Sequence, residues 1–197
     1  MEFSLFNYEK PIEDNSAKIT SRKLKLRETI KTKSFLKKEK AEEVLGELPQ
    51  TGESIHIVSN GSFDYFNLIP IAIKLMGDKC NDFYFSTWTL NNGNSEAILK
   101  LYDDGKVKTI KCLVGLYFKK RESAVFNMLY EGLKKRNQII YSNENHSKVT
   151  LLDNGVDFIV IEGSANFTAN PRIEQFSVHN CKELHQFHKE WMDEVIK

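Results

Sequence analysis

Residues 146–166 read HSKVTLLDNGVDFIVIEGSAN, and this stretch decides how the rest of the chain is read. Lys148 to Leu152 and Val156 to Ile161 are β-branched and aliphatic, and Asp153-Asn154-Gly155 interrupts them, so the stretch predicts a strand, a tight turn and a second strand. Side chains alternate across a strand, which puts His146 and Lys148 on one face while Asp153 points elsewhere. An imidazole and an ammonium then converge. The second strand leads into Gly163-Ser164-Ala165-Asn166, whose hydroxyl, amide and backbone N–H groups suit an anion. Such a pocket predicts phosphate chemistry, with His146 as nucleophile or general acid/base and Lys148 holding charge.

The spacing of these residues resembles the signature of the phospholipase D superfamily, His-x-Lys-x4-Asp followed by Gly-Ser/Gly-x-Asn. His146, Lys148 and Asp153 match its first half, and Gly163, Ser164 and Asn166 its second. The resemblance implies a phosphohistidine at His146, phosphoryl oxygens held by Lys148 and Asn166 with Ser164 beside them, and structural parts for Asp153 and Gly163. Glu174, downstream of Asn166, is the implied residue that orients the imidazole. Nine residues separate Asp153 from Gly163, more than is common in the family, and a hairpin turned at Asn154-Gly155 absorbs them. Superfamily members build one site from two such motifs. This chain has a single His-x-Lys, so a homodimer with a site shared across a two-fold axis is implied. The single-motif members it looks like are small bacterial endonucleases and the catalytic part of a metal-independent restriction enzyme. That chemistry needs neither metal nor cofactor.

At 197 residues with 41% hydrophobic content, the chain can bury one good core. Cys80, Cys112 and Cys181 have no Cys-x-x-Cys spacing, which argues against a disulfide framework or a zinc site. No export signal and no long apolar run is visible, so a cytoplasmic protein with no membrane contact is expected. The net charge of +1 hides an asymmetry: residues 17–40 carry ten Lys or Arg against Glu28 and Glu39, a net +8, which leaves −7 elsewhere. A basic arm of this kind neutralises nucleic-acid phosphates or is simply solvated. Lys23, Lys25 and Arg27, spaced by Leu24 and Leu26, are its candidate phosphate contacts.

The expected fold is α/β, a mixed β-sheet flanked by helices on both faces, with a basic N-terminal extension. The division falls at Pro49-Gln50-Thr51-Gly52, giving an extension over 1–50 with one helix and a catalytic domain over 51–197. Ser21 to Thr32 reads as a strand, and Phe35 to Leu48 as a helix with Ser34 as N-cap. Beyond the division, strands are expected over Ile55–Val58, Asp82–Trp88, Thr109–Phe118, Gln138–Tyr141 and Glu174–Val178. Helices are expected over Phe63–Met76, Ser95–Tyr102, Ser123–Arg136 and Lys182–Ile196.

Several loops leave strand ends, where ligands gather in such sheets. Ser59-Asn60-Gly61-Ser62 either presents N–H groups to a phosphate or is a plain turn. Trp88 either stacks on a base or packs in a core or dimer interface. Lys119-Lys120-Arg121 follows a strand and is a candidate groove lining, and Arg172 is a candidate partner for Glu174 or for a flanking phosphate. Cys181, His185 and His188 share a helix face but offer too few ligands for a metal. The expected function is a metal-independent phosphodiesterase cleaving DNA or RNA. The alternatives are a non-catalytic nucleic-acid-binding protein on the same fold and a lipid phosphodiesterase, the latter wanting an apolar docking surface that the arm does not offer.

Overall fold

A computed structural model describes residues 22–26, 30–34, 41–61, 63–168 and 172–196, the first two segments by their backbone pairing. In chain order the elements are β1 (Arg22–Leu26), β2 (Ile30–Ser34), α1 (Ala41–Leu45), β3 (Ser54–Ser59), a 3-10 turn at Tyr65–Asn67, α2 (Leu68–Leu75), β4 (Cys80–Thr87), α3 (Asn92–Asp103), β5 (Val107–Gly115), α4 (Leu116–Arg121), α5 (Ser123–Lys134), β6 (Ile139–Asn143), β7 (Val149–Asp153), β8 (Phe158–Gly163), β9 (Glu174–Asn180) and α6 (Lys182–Val195). Among the described residues the strands form one mixed sheet in the order β2-β1-β3-β9-β8-β7-β4-β5-β6. The pairs β4–β5 and β5–β6 are parallel. A parallel pair needs a crossover, and α3 and α4–α5 supply the two.

The alternation predicted for the strands separates two cores. Ile55, Ile57, Phe83, Phe85, Ile110, Cys112, Leu152, Ile159, Ile161, Phe176 and Val178 face α1, α2, α3 and α5 in the main core. Tyr84, Val149, Leu151 and Val160 face the other way, against Met192 of α6. Helices therefore cover both faces, as expected from the sequence. α1 precedes residue 50, and its Ala41, Val44 and Leu45 are buried in the main core.

The predicted hairpin is β7–β8, in antiparallel register from Val149↔Glu162 to Asp153↔Phe158. Asn154 Oδ1 closes its turn by accepting from the N–H groups of Val156 (2.9 Å) and Asp157 (2.7 Å), and Gly155 takes φ 87°, which favours glycine. Its far strand is anchored by Asn180, whose amide reaches Pro49 O (3.1 Å) and Asp157 Oδ1 (2.8 Å) while its Oδ1 accepts from Phe158 N (3.0 Å).

Three local expectations are corrected. The strand expected over Thr109–Phe118 ends at Gly115, and Leu116–Arg121 is helical. A Cβ on Gly115 would lie 2.5 Å from Trp88 Cδ1, and the ladder to β6 stops there at Gly115↔Asn143. The apolar run Leu116–Phe118 fits either element, and only the end of the ladder decides. Ser34 is the last residue of β2 rather than a helix cap, and residues 35–40 of that predicted helix lie outside the described residues. The single strand expected over Ser21–Thr32 is two antiparallel strands, paired from Arg22↔Ser34 to Leu26↔Ile30. Pro70 is accommodated in α2 because it is the third helical residue, where an N–H has no intrahelical partner to lose.

Candidate active site

The site gathers at one end of the sheet, where β4 and β5 end, β7 begins, β8 ends and β9 begins. His146 stands just ahead of β7 and is exposed, whereas Lys148 is buried, with 9% of its surface accessible. Lys148 Nζ donates to His146 O at 2.5 Å and lies 3.2 Å from His146 Nδ1, so the imidazole and ammonium meet, ahead of β7 rather than on a strand. Burial lowers the Lys148 pKa below its ordinary value, and the charge of Glu174 works against that fall.

Asn145 fixes this loop. Its Oδ1 accepts from Ser147 N (3.1 Å), Ser147 Oγ (2.7 Å) and Ser86 Oγ (3.2 Å), while its Nδ2 donates to Thr87 O (3.2 Å) and Leu113 O (3.4 Å). Three side chains and two strand ends thereby hold the backbone that carries His146. Reading the sequence did not single out Asn145 or Ser86. The signal for Ser86 was a serine inside the apolar strand that contains Phe83, Tyr84 and Phe85.

The second half of the motif forms the opposite wall. Ser164 Oγ donates to Glu174 Oε2 and accepts from Gln175 N at 3.1 Å, and Ser164 N donates to Gln175 O at 3.1 Å. Gly163 N donates to Lys148 O at 3.3 Å, which ties this wall to the first. A Cβ on Gly163 would fall 2.5 Å from Phe176 Cδ1 and 3.0 Å from Gln175 O, so the position has no room for a side chain. Asn166 follows, with its Oδ1 buried and without a hydrogen-bond partner. The chain there is set by Phe167, which is fully buried against Tyr65 and Phe85 (ring centres 5.1 Å in each case) and bridges to Leu90.

Asp153 sits at the other end of β7, where its Oδ1 accepts from Gly155 N at 2.5 Å. It shapes the hairpin turn and does not meet His146. Trp88 lies against His146, with ring centres 5.5 Å apart, and stacks on Tyr117 at 4.3 Å. Lys119, Lys120 and Arg121 are exposed on α4, with Arg121 over the Tyr117 ring at 5.6 Å and Lys119 over Phe126 at 5.7 Å. Arg172 is exposed and shares a cleft with Trp88 and Asn166. Lys23 and Lys25 belong to β1, which β3 and β9 separate from β8, and Arg27 lies outside the described residues.

The remaining sequence candidates have structural roles. Ser59 Oγ accepts from Gly61 N at 3.1 Å, a self-contained turn, and Ser62 lies outside the described residues. His188 has both ring nitrogens engaged, Nε2 with Glu162 Oε1 (3.1 Å) and Nδ1 with Trp191 Nε1 (2.9 Å), and His185 packs on Phe158. Among the described residues no group of His, Cys, Asp and Glu is arranged to hold a metal ion. Likewise, no helix there is long and apolar enough to cross a membrane.

No protein-family model matches the chain, and no curated protein does. Solved structures do. The phospholipase D family member Nuc from Salmonella typhimurium superposes with a TM-score of 0.50 at 15% identity, over 64% of this chain and 85% of that one. A phosphatidylserine synthase from Haemophilus influenzae gives 0.50 at 11% identity, over 72% and 38% of the two chains. A polyphosphate kinase from Porphyromonas gingivalis gives 0.52 at 12%, over 70% and 25%. With its two-faced mixed sheet and these neighbours, the chain has the α/β fold of the phospholipase D family.

Proposed function

We propose that the chain is a metal-independent phosphodiesterase that cleaves DNA or RNA through a phosphohistidine on His146, at a site shared by two copies of the chain. A shared fold does not choose a reaction, so the residues carry this reading. The observation that supports it most is the exposed His146 imidazole 3.2 Å from the buried Lys148 ammonium, with Gly163 N donating to Lys148 O and the Glu174 charge acting on that ammonium.

Attack by His146 Nε2 needs the tautomer with the proton on Nδ1, in which Nδ1 turns from the Lys148 ammonium to a carboxylate such as Glu174. A bond forms from Nε2 to phosphorus as the bond to the leaving oxygen breaks. His146 of the second copy gives that oxygen its proton. Water then attacks the phosphoenzyme, passes its proton to the second imidazole and releases His146. Lys148 and the Asn166 Nδ2 amide hold the equatorial oxygens as donors. Ser164 holds Glu174, which orients the imidazole. Lys119, Lys120, Arg121 and Arg172 neutralise flanking phosphates, and the basic arm of residues 1–50, with Lys23, Lys25 and Arg27, extends the contact.

The test is cleavage of single- and double-stranded DNA and RNA in excess chelator, with His146→Ala alongside and the oligomer mass recorded. The expected result is chelator-resistant cleavage by a dimer, abolished in the variant with the dimer retained. Salt-dependent binding without cleavage would replace the reading by a non-catalytic binder. Neither activity would point to lipid phosphodiesters.

A further inference from the structure

The contact between Lys148 and His146 fixes more than their proximity. Lys148 Nζ lies 3.2 Å from His146 Nδ1 and also donates to His146 O at 2.5 Å. An ammonium has three donors and no acceptor, so towards Nδ1 it can only donate. Nδ1 then accepts, and the one proton of the neutral imidazole sits on Nε2. That is the nitrogen whose lone pair the proposed attack needs. The change that would free it is confined to the side chain, because the backbone around His146 is held. Asn145 Oδ1 accepts from Ser147 N (3.1 Å), and its amide donates to Thr87 O of β4 (3.2 Å) and Leu113 O of β5 (3.4 Å). The Trp88 indole, itself stacked on Tyr117, backs the imidazole with ring centres 5.5 Å apart, and His146 stays open to solvent.

We propose that Lys148 latches His146 in a resting tautomer in the free protein, and that a phosphate group taken up by Lys148 releases the imidazole into its attacking form. The proposal rests on the phosphodiesterase reading for the need of Nε2, and it adds how the substrate switches the nucleophile on. A phosphate oxygen carries charge, so it is a stronger acceptor for an ammonium than a neutral ring nitrogen is. Burial sharpens the difference, since Lys148 is only 9% accessible and charge–charge attraction grows as water is excluded. Once the phosphate takes the hydrogen bond, Nδ1 loses its donor. Solvent then supplies a proton to Nδ1 and removes the one on Nε2, with no net change in charge. The new Nδ1–H turns to a carboxylate, for which Glu174, whose charge acts on Lys148, is the candidate. The Nε2 lone pair is left for phosphorus. The latch therefore keeps the nucleophile idle until the ammonium holds a phosphate.

The experiment is nitrogen NMR of the full chain with isotope-labelled histidine rings, at about pH 8, above the ordinary histidine value. Comparison with His146→Ala assigns the His146 signals. Protonated and unprotonated ring nitrogens have widely separated shifts, so the tautomer is read directly and no cleavage is required. Free wild type should show the proton on Nε2. Inorganic phosphate should exchange the two signals, and chloride at the same ionic strength should not. Lys148→Met should show a larger Nδ1–H fraction than wild type in the free protein and no response to phosphate. A free wild-type ring with its proton on Nδ1, a wild-type ring that phosphate leaves unchanged, or a Lys148→Met ring that matches wild type in either state overturns the latch. Any of these alongside chelator-resistant cleavage leaves the phosphodiesterase reading standing. A ring that switches in a protein that cleaves no strand supports the latch and removes that reading.

Discussion

Replacing Gly163 by Ala tests the register on which the site depends. The added Cβ would sit 2.5 Å from Phe176 Cδ1, 3.2 Å from Phe176 Cε1 and 3.0 Å from Gln175 O. Carbon atoms rest about 3.5–4.0 Å apart, so the ring must retreat by roughly 1 Å or more. It has little freedom to do so. Phe176 is 3% exposed and is held by Tyr65 (ring centres 5.4 Å) and Phe63 (6.0 Å). Gln175 O accepts from Ser164 N across the β8–β9 ladder, so moving it opens the wall that carries Ser164 and Glu174. Overpacking of this kind costs about 1–3 kcal/mol, and at about 2–4 °C per kcal/mol for a chain of this size the midpoint should fall by roughly 4–8 °C for a cost near 2 kcal/mol. If the proposed site is correct, cleavage should fall further than stability, because the first atoms to move are those of the wall that carries Ser164 and Glu174. Thermal unfolding by circular dichroism and cleavage at a temperature well below the midpoint read the two effects separately. An alanine variant with unchanged midpoint and unchanged cleavage would refute the close approach of β8 and β9 at Gly163.

Lys148→Met keeps the buried stem and removes a charge that burial disfavours, so cleavage should drop by about 100-fold or more while the midpoint stays level or rises. Between the lowered folded pKa of Lys148 and its ordinary 10.5 the unfolded chain binds the extra proton, so wild-type stability gains from this residue as pH rises through that window, and urea midpoints should show the gain absent in Lys148→Met. Glu162 has its carboxyl held below the usual value of 4.5, first by the hydrogen bond with His188, so its contribution is present above pH 4.5 and lost as pH falls through the lowered value. Glu162→Gln should flatten that acid limb, and an unchanged limb in acid unfolding would refute the pairing. Asn145→Ala leaves Ser86, Ser147 and two strand-end carbonyls short of partners, so stability should fall by about 1–3 kcal/mol in urea titration, with a larger fall in cleavage as the His146 loop loosens.

What was legible in the sequence and what was not divide along one physical line. The hairpin could be read because each of its determinants is local: the apolar alternation, the Asx turn at Asn154 and the glycine with positive φ all lie within a few residues of one another. His146 and Lys148 do meet, but both precede β7, so the loop that Asn145 holds and not the expected strand alternation brings them together. The end of β5 could not be read, because it depends on where β6 stops pairing and on Trp88 pressing on Gly115, partners far away in sequence. Ser34 was misassigned for a similar reason, since a serine before a helical pattern is a cap only when no strand claims it, and pairing with Arg22 does so. Asn145 escaped notice because its worth lies in joining β4, β5 and the approach to β7, which one strand's pattern does not report. Trp88 kept several readings for the same reason, and its ring contacts, His146 on one side and the half-exposed Tyr117 on the other, place it beside the candidate nucleophile. The motif thus marked the stretch on which the proposed chemistry rests, whereas the cleft that Trp88, Tyr117 and Asn166 line beside it is assembled by contacts between residues far apart in sequence.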